Sequence, residues 1–149
     1  MIPLRDSLPT RAFPIITVTI IGLNVVVFGY EVYLGEGFEK FIRAYGVIPY
    51  NLTNPSLAGF QGCPNPLLNI FTAMFVHAGY LHLIGNMLFM WIFGNNVEDS
   101  MGPLRFILFY LLTGILATLS HAAIAPMARI PMVGASGAIS GVLGGYLRL

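Results

Sequence analysis

Two short constellations place groups that can do chemistry inside otherwise apolar stretches. His82 and Asn86 stand four residues apart in LHLIGNMLFMWIF, so a helix there stacks an imidazole and a carboxamide on one face. Gly134-Ala135-Ser136-Gly137 sets a hydroxyl among small residues where a helix is expected to begin after Pro131. The first amides of a helix are unpaired and its dipole favours negative charge, so a serine at that point brings part of an oxyanion site with it. Both groups also have plain structural uses: His and Asn join helices by hydrogen bonds, and small residues let helices approach closely.

The setting explains why these residues matter. The chain has 149 residues, 56% of them hydrophobic and only 9% charged, with a mean hydropathy of +0.79. Soluble domains carry about a quarter charged residues, so this composition describes a membrane protein. Seven basic residues nearly balance six acidic ones, and Lys40 is the single lysine. Such a surface has no basic patch for phosphates, which excludes nucleic-acid binding. One cysteine, Cys63, cannot form an internal disulfide, and His77, His82 and His121 have neither zinc-finger spacing nor the carboxylate of an HExxH site.

Four apolar segments must position the polar groups. The first runs from about 13 to 34, long enough for a bilayer of about 30 Å. A long Gly/Pro/Asn-rich loop follows to Pro66; Phe38, Phe41, Ile42 and Tyr45 recur in it at helical spacing and predict a short helix on the membrane surface. The second span is expected at about 80–94, then a turn from Gly94 to Pro103, a third span at about 104–125 and a fourth at about 135–149, still running at Leu149. With the N-terminus in the cytoplasm, Arg5, Arg11, Arg105 and Arg148 fall inside, a weak positive-inside preference. Spans two and four then both run inward, so His82 and Ser136 share the outer depth. Within span four, Gly137, Gly141 and Gly145 form one small face, and Ser136, Ser140 and Gly144 another.

In order, spacing and topology, the segment from His77 through His82, Asn86 and Glu98, followed after one span by GASG at 134–137, resembles the rhomboid intramembrane serine proteases. The opening MIPLRD and the long first loop resemble bacterial members, and the likeness covers essentially the whole chain as a single domain, 1–149. It implies an all-α, polytopic transmembrane bundle with four of six spans present, the fourth helix starting partway into the membrane below a cavity open to the outside. It further implies Ser136 as nucleophile, Gly134 and Gly137 as its supporting glycines, and an oxyanion hole from His82, Asn86 and the Ser136 backbone N–H. Glu98 corresponds to an acidic residue bracing the loop after helix two, and His77 to a second histidine with a structural or water-binding role. The implied activity is cleavage of transmembrane segments of other proteins, without metal or cofactor, in a bacterial inner membrane; the oligomeric state is left open.

The chain departs from the family pattern in two places. The general-base histidine of the sixth helix has no counterpart up to Leu149, so residues 1–149 alone are expected to have little or no peptidase activity. A Trp-Arg pair of the first loop is replaced by Leu68-Asn69. His121, near the outer end of span three, matches Ser136 in depth but reads more simply as an interfacial histidine, while Lys40 sits in the solvated first loop among Glu36, Glu39 and Arg43, a poor setting for the base of a Ser-Lys pair. Asn51-Leu52-Thr53 fits a glycosylation acceptor, a motif frequent by chance. Two other functions compete with the protease. One is a non-catalytic rhomboid-like protein binding membrane clients; the other is a small channel or transporter, which leaves the clustering of polar groups at one depth unexplained.

Overall fold

The structure, a computed structural model, describes residues 11–58, 63 and 65–149. The MIPLRD segment, Arg5 and part of the first loop, 59–62 and Pro64, lie outside them.

Helix α1, Ile15–Tyr33, has 19 residues and rises about 28 Å. Its buried stripe is Thr17, Ile20, Asn24, Phe28 and Glu31, while Leu23, Val26 and Tyr30 face outward. The capping groups at its start come from far along the chain. Glu98 accepts the Ile16 and Thr17 N–H groups at 2.9 and 2.8 Å and the Thr17 hydroxyl at 2.8 Å. Asp99 accepts the N–H groups of Arg11 and Ala12. Glu98 thus satisfies two orphan donors of the helix, and Asp99, bonded to the segment just before it, adds negative charge near the positive end of the helix dipole.

The first loop contains the predicted helix as α2, Phe38–Tyr45, and two short helices, α3, Pro49–Thr53, and α4, Pro55–Ala58. Phe41 of α2 packs edge-on against Tyr30 of α1, with ring centroids 5.6 Å apart. Helix α5, Pro66–Thr72, is capped by the Asn65 side chain and carries Asn69. The Asn69 amide donates to the carbonyls of Ala44 and Gly46 at 2.9 and 2.8 Å, so a buried asparagine anchors the loop where the Trp-Arg pair is missing.

Helix α6, Tyr80–Phe89, starts where expected but does not end at a turn. It continues through a π-helical segment, Met90–Gly94, into α7, Asn95–Met101, so the expected turn at 94–103 is corrected to a reversal at Gly102 alone. Gly102 has φ +81°, which a residue with a Cβ rarely adopts, and Pro103 opens the next helix. The polar run stays helical because Asn96 and Glu98 turn inward.

Helix α8, Pro103–Ile124, has 22 residues, and α9, Ser136–Tyr146, packs along it. The glycine face predicted for span four meets α8: a Cβ at Gly137 would lie 2.7 Å from the Ala117 methyl, and one at Gly141 2.4 Å from Thr113 Cβ. Ser136 and Ser140, on the other face, are exposed. The core joins Ile20 and Phe28 of α1, Met87 and Met90, Phe106 and Tyr110 of α8, and Ala138 and Val142 of α9. The described chain is helical, with one isolated bridge between Val47 and Met132. By length and composition α1 and α8 can each cross a membrane.

Candidate active site

Three segments converge at the start of α6. Gly79 precedes the helix in an extended conformation, and its carbonyl accepts the Leu83 N–H at 3.0 Å. His82 and Asn86 then stand one turn apart on α6. The turn before the helix folds His77 back over that face. Its Nε2 is 3.0 Å from the Asn86 amide nitrogen, and its ring meets the His82 ring edge-on at 5.0 Å between centroids. His77 is fully buried. Burial, helped by the neighbouring His82, pushes its pKa down to about 4, so the imidazole is neutral and its Nε2 can accept the Asn86 N–H.

The serine arrives on a loop sewn to the rest of the fold. Val47 and Met132 exchange backbone hydrogen bonds of 2.9 and 2.7 Å, Tyr50 N–H reaches the Ala128 carbonyl at 3.0 Å, and Arg129 lies 4.3 Å over the Tyr50 ring. Gly134, with φ +109°, donates its N–H to Ala73 at 2.8 Å and lies flat against His82. A Cβ there would be 2.5 Å from His82 Cε1 and Nε2 and 3.4 Å from the Asn86 amide nitrogen. The GASG turn thus touches both polar residues of α6, through the one residue type that lacks the obstructing carbon.

Ser136 is the first residue of α9, and the Ala135 carbonyl accepts the first intrahelical bond, from Ile139 N–H at 2.9 Å. The amides of Ser136 and Gly137 therefore come before any intrahelical acceptor. Ser136, His82 and Asn86 line one groove of about 330 Å³ between α6 and α9, with Leu81, Phe89 and Leu143 as its apolar walls. A second cavity, of about 190 Å³, meets Ser136 from the α8 side, where it is lined by Thr118 and His121. No hydrogen bond joins the Ser136 hydroxyl to a histidine among the described residues.

Glu98 is not part of this cluster. It lies sixteen residues beyond His82, about 24 Å along the helix, at the start of α1. Rather than a loop, it braces a helix end. Lys40 is exposed on α2, and Cys63 is buried with its thiol 3.2 Å from the Asn69 amide. Among the described residues no three His, Cys, Asp or Glu side chains gather as metal ligands. The cluster has one further member, which its place in an apolar helix hides from a reading of short motifs. Glu31 of α1 accepts the His77 backbone N–H at 3.2 and 3.3 Å. Its signal was present in the sequence: Thr17, Asn24 and Glu31 repeat every seven residues through an apolar helix, a polar line along one face.

The fold thus combines two apolar helices of membrane-crossing length with a groove that brings a serine, a histidine and an asparagine together. The Rhomboid domain profile matches residues 64–149, more than half of the chain, and the protein belongs to the rhomboid family. A putative rhomboid protease of Bacillus subtilis, YdcA, is 29% identical over 133 residues, covering 75% of this chain and 66% of that protein. Rhomboid protease GluP of the same organism is 40% identical over 78 residues, covering 52% and 15%. Inactive rhomboid protein 1 of Drosophila melanogaster is 31% identical over 86 residues, covering 58% and 6%. The chain thus spans less than two thirds of the length of these relatives. No solved structure matches it.

Proposed function

We propose that the protein is an intramembrane serine endopeptidase cleaving transmembrane segments of other membrane proteins. One observation carries this reading: Ser136, at the N-terminus of α9, shares a groove with two side chains that can donate to an anion, His82 and Asn86. In this mechanism the Ser136 oxygen attacks a substrate carbonyl carbon as its proton passes to a histidine on a later helix. The tetrahedral oxyanion sits between the Ser136 N–H, His82 and the Asn86 amide; collapse expels the amine with that proton and leaves an acyl-enzyme, which water hydrolyses. Gly134 and Gly137 allow the turn and helix to approach α6 and α8, and His77 holds Asn86. The reading includes four spans in a bacterial inner membrane with the N-terminus in the cytoplasm. The lipid bilayer and transmembrane substrates are its partners, and it needs no cofactor.

A second reading, a non-catalytic member that binds membrane clients, is favoured by the likeness to a relative named inactive. A fluorophosphonate probe separates the two. With the full-length protein, labelling and cleavage of a reporter transmembrane segment are both expected, and both vanish in Ser136→Ala. Cleavage unchanged by that substitution, or no Ser136-dependent labelling, rejects the protease.

A further inference from the structure

Glu31 is an ionisable side chain near the end of an apolar helix, fully buried and without an ion pair among the described residues. A buried carboxylate in that setting is costly and calls for a specific use. Among the described residues its one donor is the His77 backbone N–H, held between both carboxylate oxygens at 3.2 and 3.3 Å. That bond fixes the turn that carries the His77 ring. The ring in turn takes an N–H of Asn86 at 3.0 Å, so its own proton belongs on Nδ1, which faces the Phe75 carbonyl at 3.4 Å.

The geometry points to Glu31 as a positioning residue for the oxyanion donors, an inference that rests on the protease reading above. An asparagine amide is nearly symmetric in shape but opposite in polarity at its two ends. With Nδ2 tied to His77, the nitrogen and not the oxygen lies toward Gly134, 3.4 Å from the position of a Cβ there. One Nδ2 hydrogen is used by His77 and the second is left for a developing oxyanion beside Ser136. Without Glu31 the turn loses its anchor, His77 leaves Asn86, and the amide is free to present its carbonyl oxygen, which repels the anion it should bind. Glu31 touches neither substrate nor Ser136; it acts through His77 and Asn86.

The test uses the full-length protein and two variants, Glu31→Ala and Glu31→Gln, with Ser136 titrated by fluorophosphonate so that rates refer to competent enzyme only. Glu31→Ala is expected to lower kcat per titrated serine about tenfold, the loss expected for one orienting hydrogen bond, while KM stays within about twofold. Glu31→Gln keeps a carbonyl oxygen for the His77 N–H and regains most of that rate. A side chain needed only for folding would lower the titratable fraction and leave kcat per serine unchanged, and that result overturns the inference. Nitrogen-15 NMR of His77 gives a readout independent of activity. Wild type is expected to hold Nε2 unprotonated, and Glu31→Ala to spread the proton over both ring nitrogens; identical spectra overturn the inference. If wild type neither cleaves nor labels, the protease reading fails, and the His77 spectra still decide whether Glu31 orders the Asn86 pair.

Discussion

Gly134→Ala tests the contact on which the site depends. The added methyl would sit 2.5 Å from His82 Cε1 and Nε2, where an ordinary carbon contact needs about 3.5 Å. The imidazole must therefore retreat by about 1 Å, or the turn must open by as much. Neither is free. The backbone at φ +109° is itself hostile to a side chain, which adds about 1–3 kcal/mol of strain, and a displacement of about 1 Å at a catalytic group costs on the order of 100-fold in rate. The expected result is a loss of about 100-fold in the fluorophosphonate labelling rate of Ser136, with a lower unfolding temperature in detergent. Gly22→Ala is the control, because a Cβ there meets nothing within 4 Å on a helical position of α1; it should label at the wild-type rate and be more stable by about 0.5–1 kcal/mol. In a His82→Ala background there is no imidazole to displace, so Gly134→Ala should cost much less there, and the two losses should not add. Wild-type labelling by a folded Gly134→Ala protein would refute the reasoning, since His82 would then neither pack on the turn nor assist the serine.

Three further predictions concern the frame. Glu98→Ala removes the acceptor for two amides and a hydroxyl at the start of α1 and should cost about 2–4 kcal/mol; an unfolding temperature unchanged in detergent would show that the carboxylate is not holding the helix. Asn69→Ala frees the carbonyls of Ala44 and Gly46 and should cost about 1–2 kcal/mol, with protease cuts in the first loop appearing sooner than in wild type; equal digestion rates would contradict the anchoring. Asn51, despite its Thr53, is fully buried in α3 and should stay unmodified in a glycosylating host, which a mass shift removed by Asn51→Gln would disprove.

The sequence by itself determined the features that repeat over short distances. The apolar runs behind α1 and α8 are set by the length of a bilayer, and α2 by the spacing of Phe38, Phe41, Ile42 and Tyr45. Pro103 at the head of α8 and the small face of α9 follow from local sterics. The pairing of His82 and Asn86 was legible as well, since a helix must stack residues four apart. Tertiary structure decided what depends on partners distant in the chain. Asn95 to Ser100 read as a turn by composition, yet they are helical because Glu98 meets amides at the start of α1, some eighty residues earlier. Asn69 anchors the loop only because the fold brings the Ala44 and Gly46 carbonyls to its amide. Glu31 acquires a role only because the fold brings the His77 N–H to its carboxylate. The physical reason is the same in each case: a hydrogen-bonding group is satisfied by whatever donor or acceptor the fold brings to about 3 Å, and no local pattern names that partner.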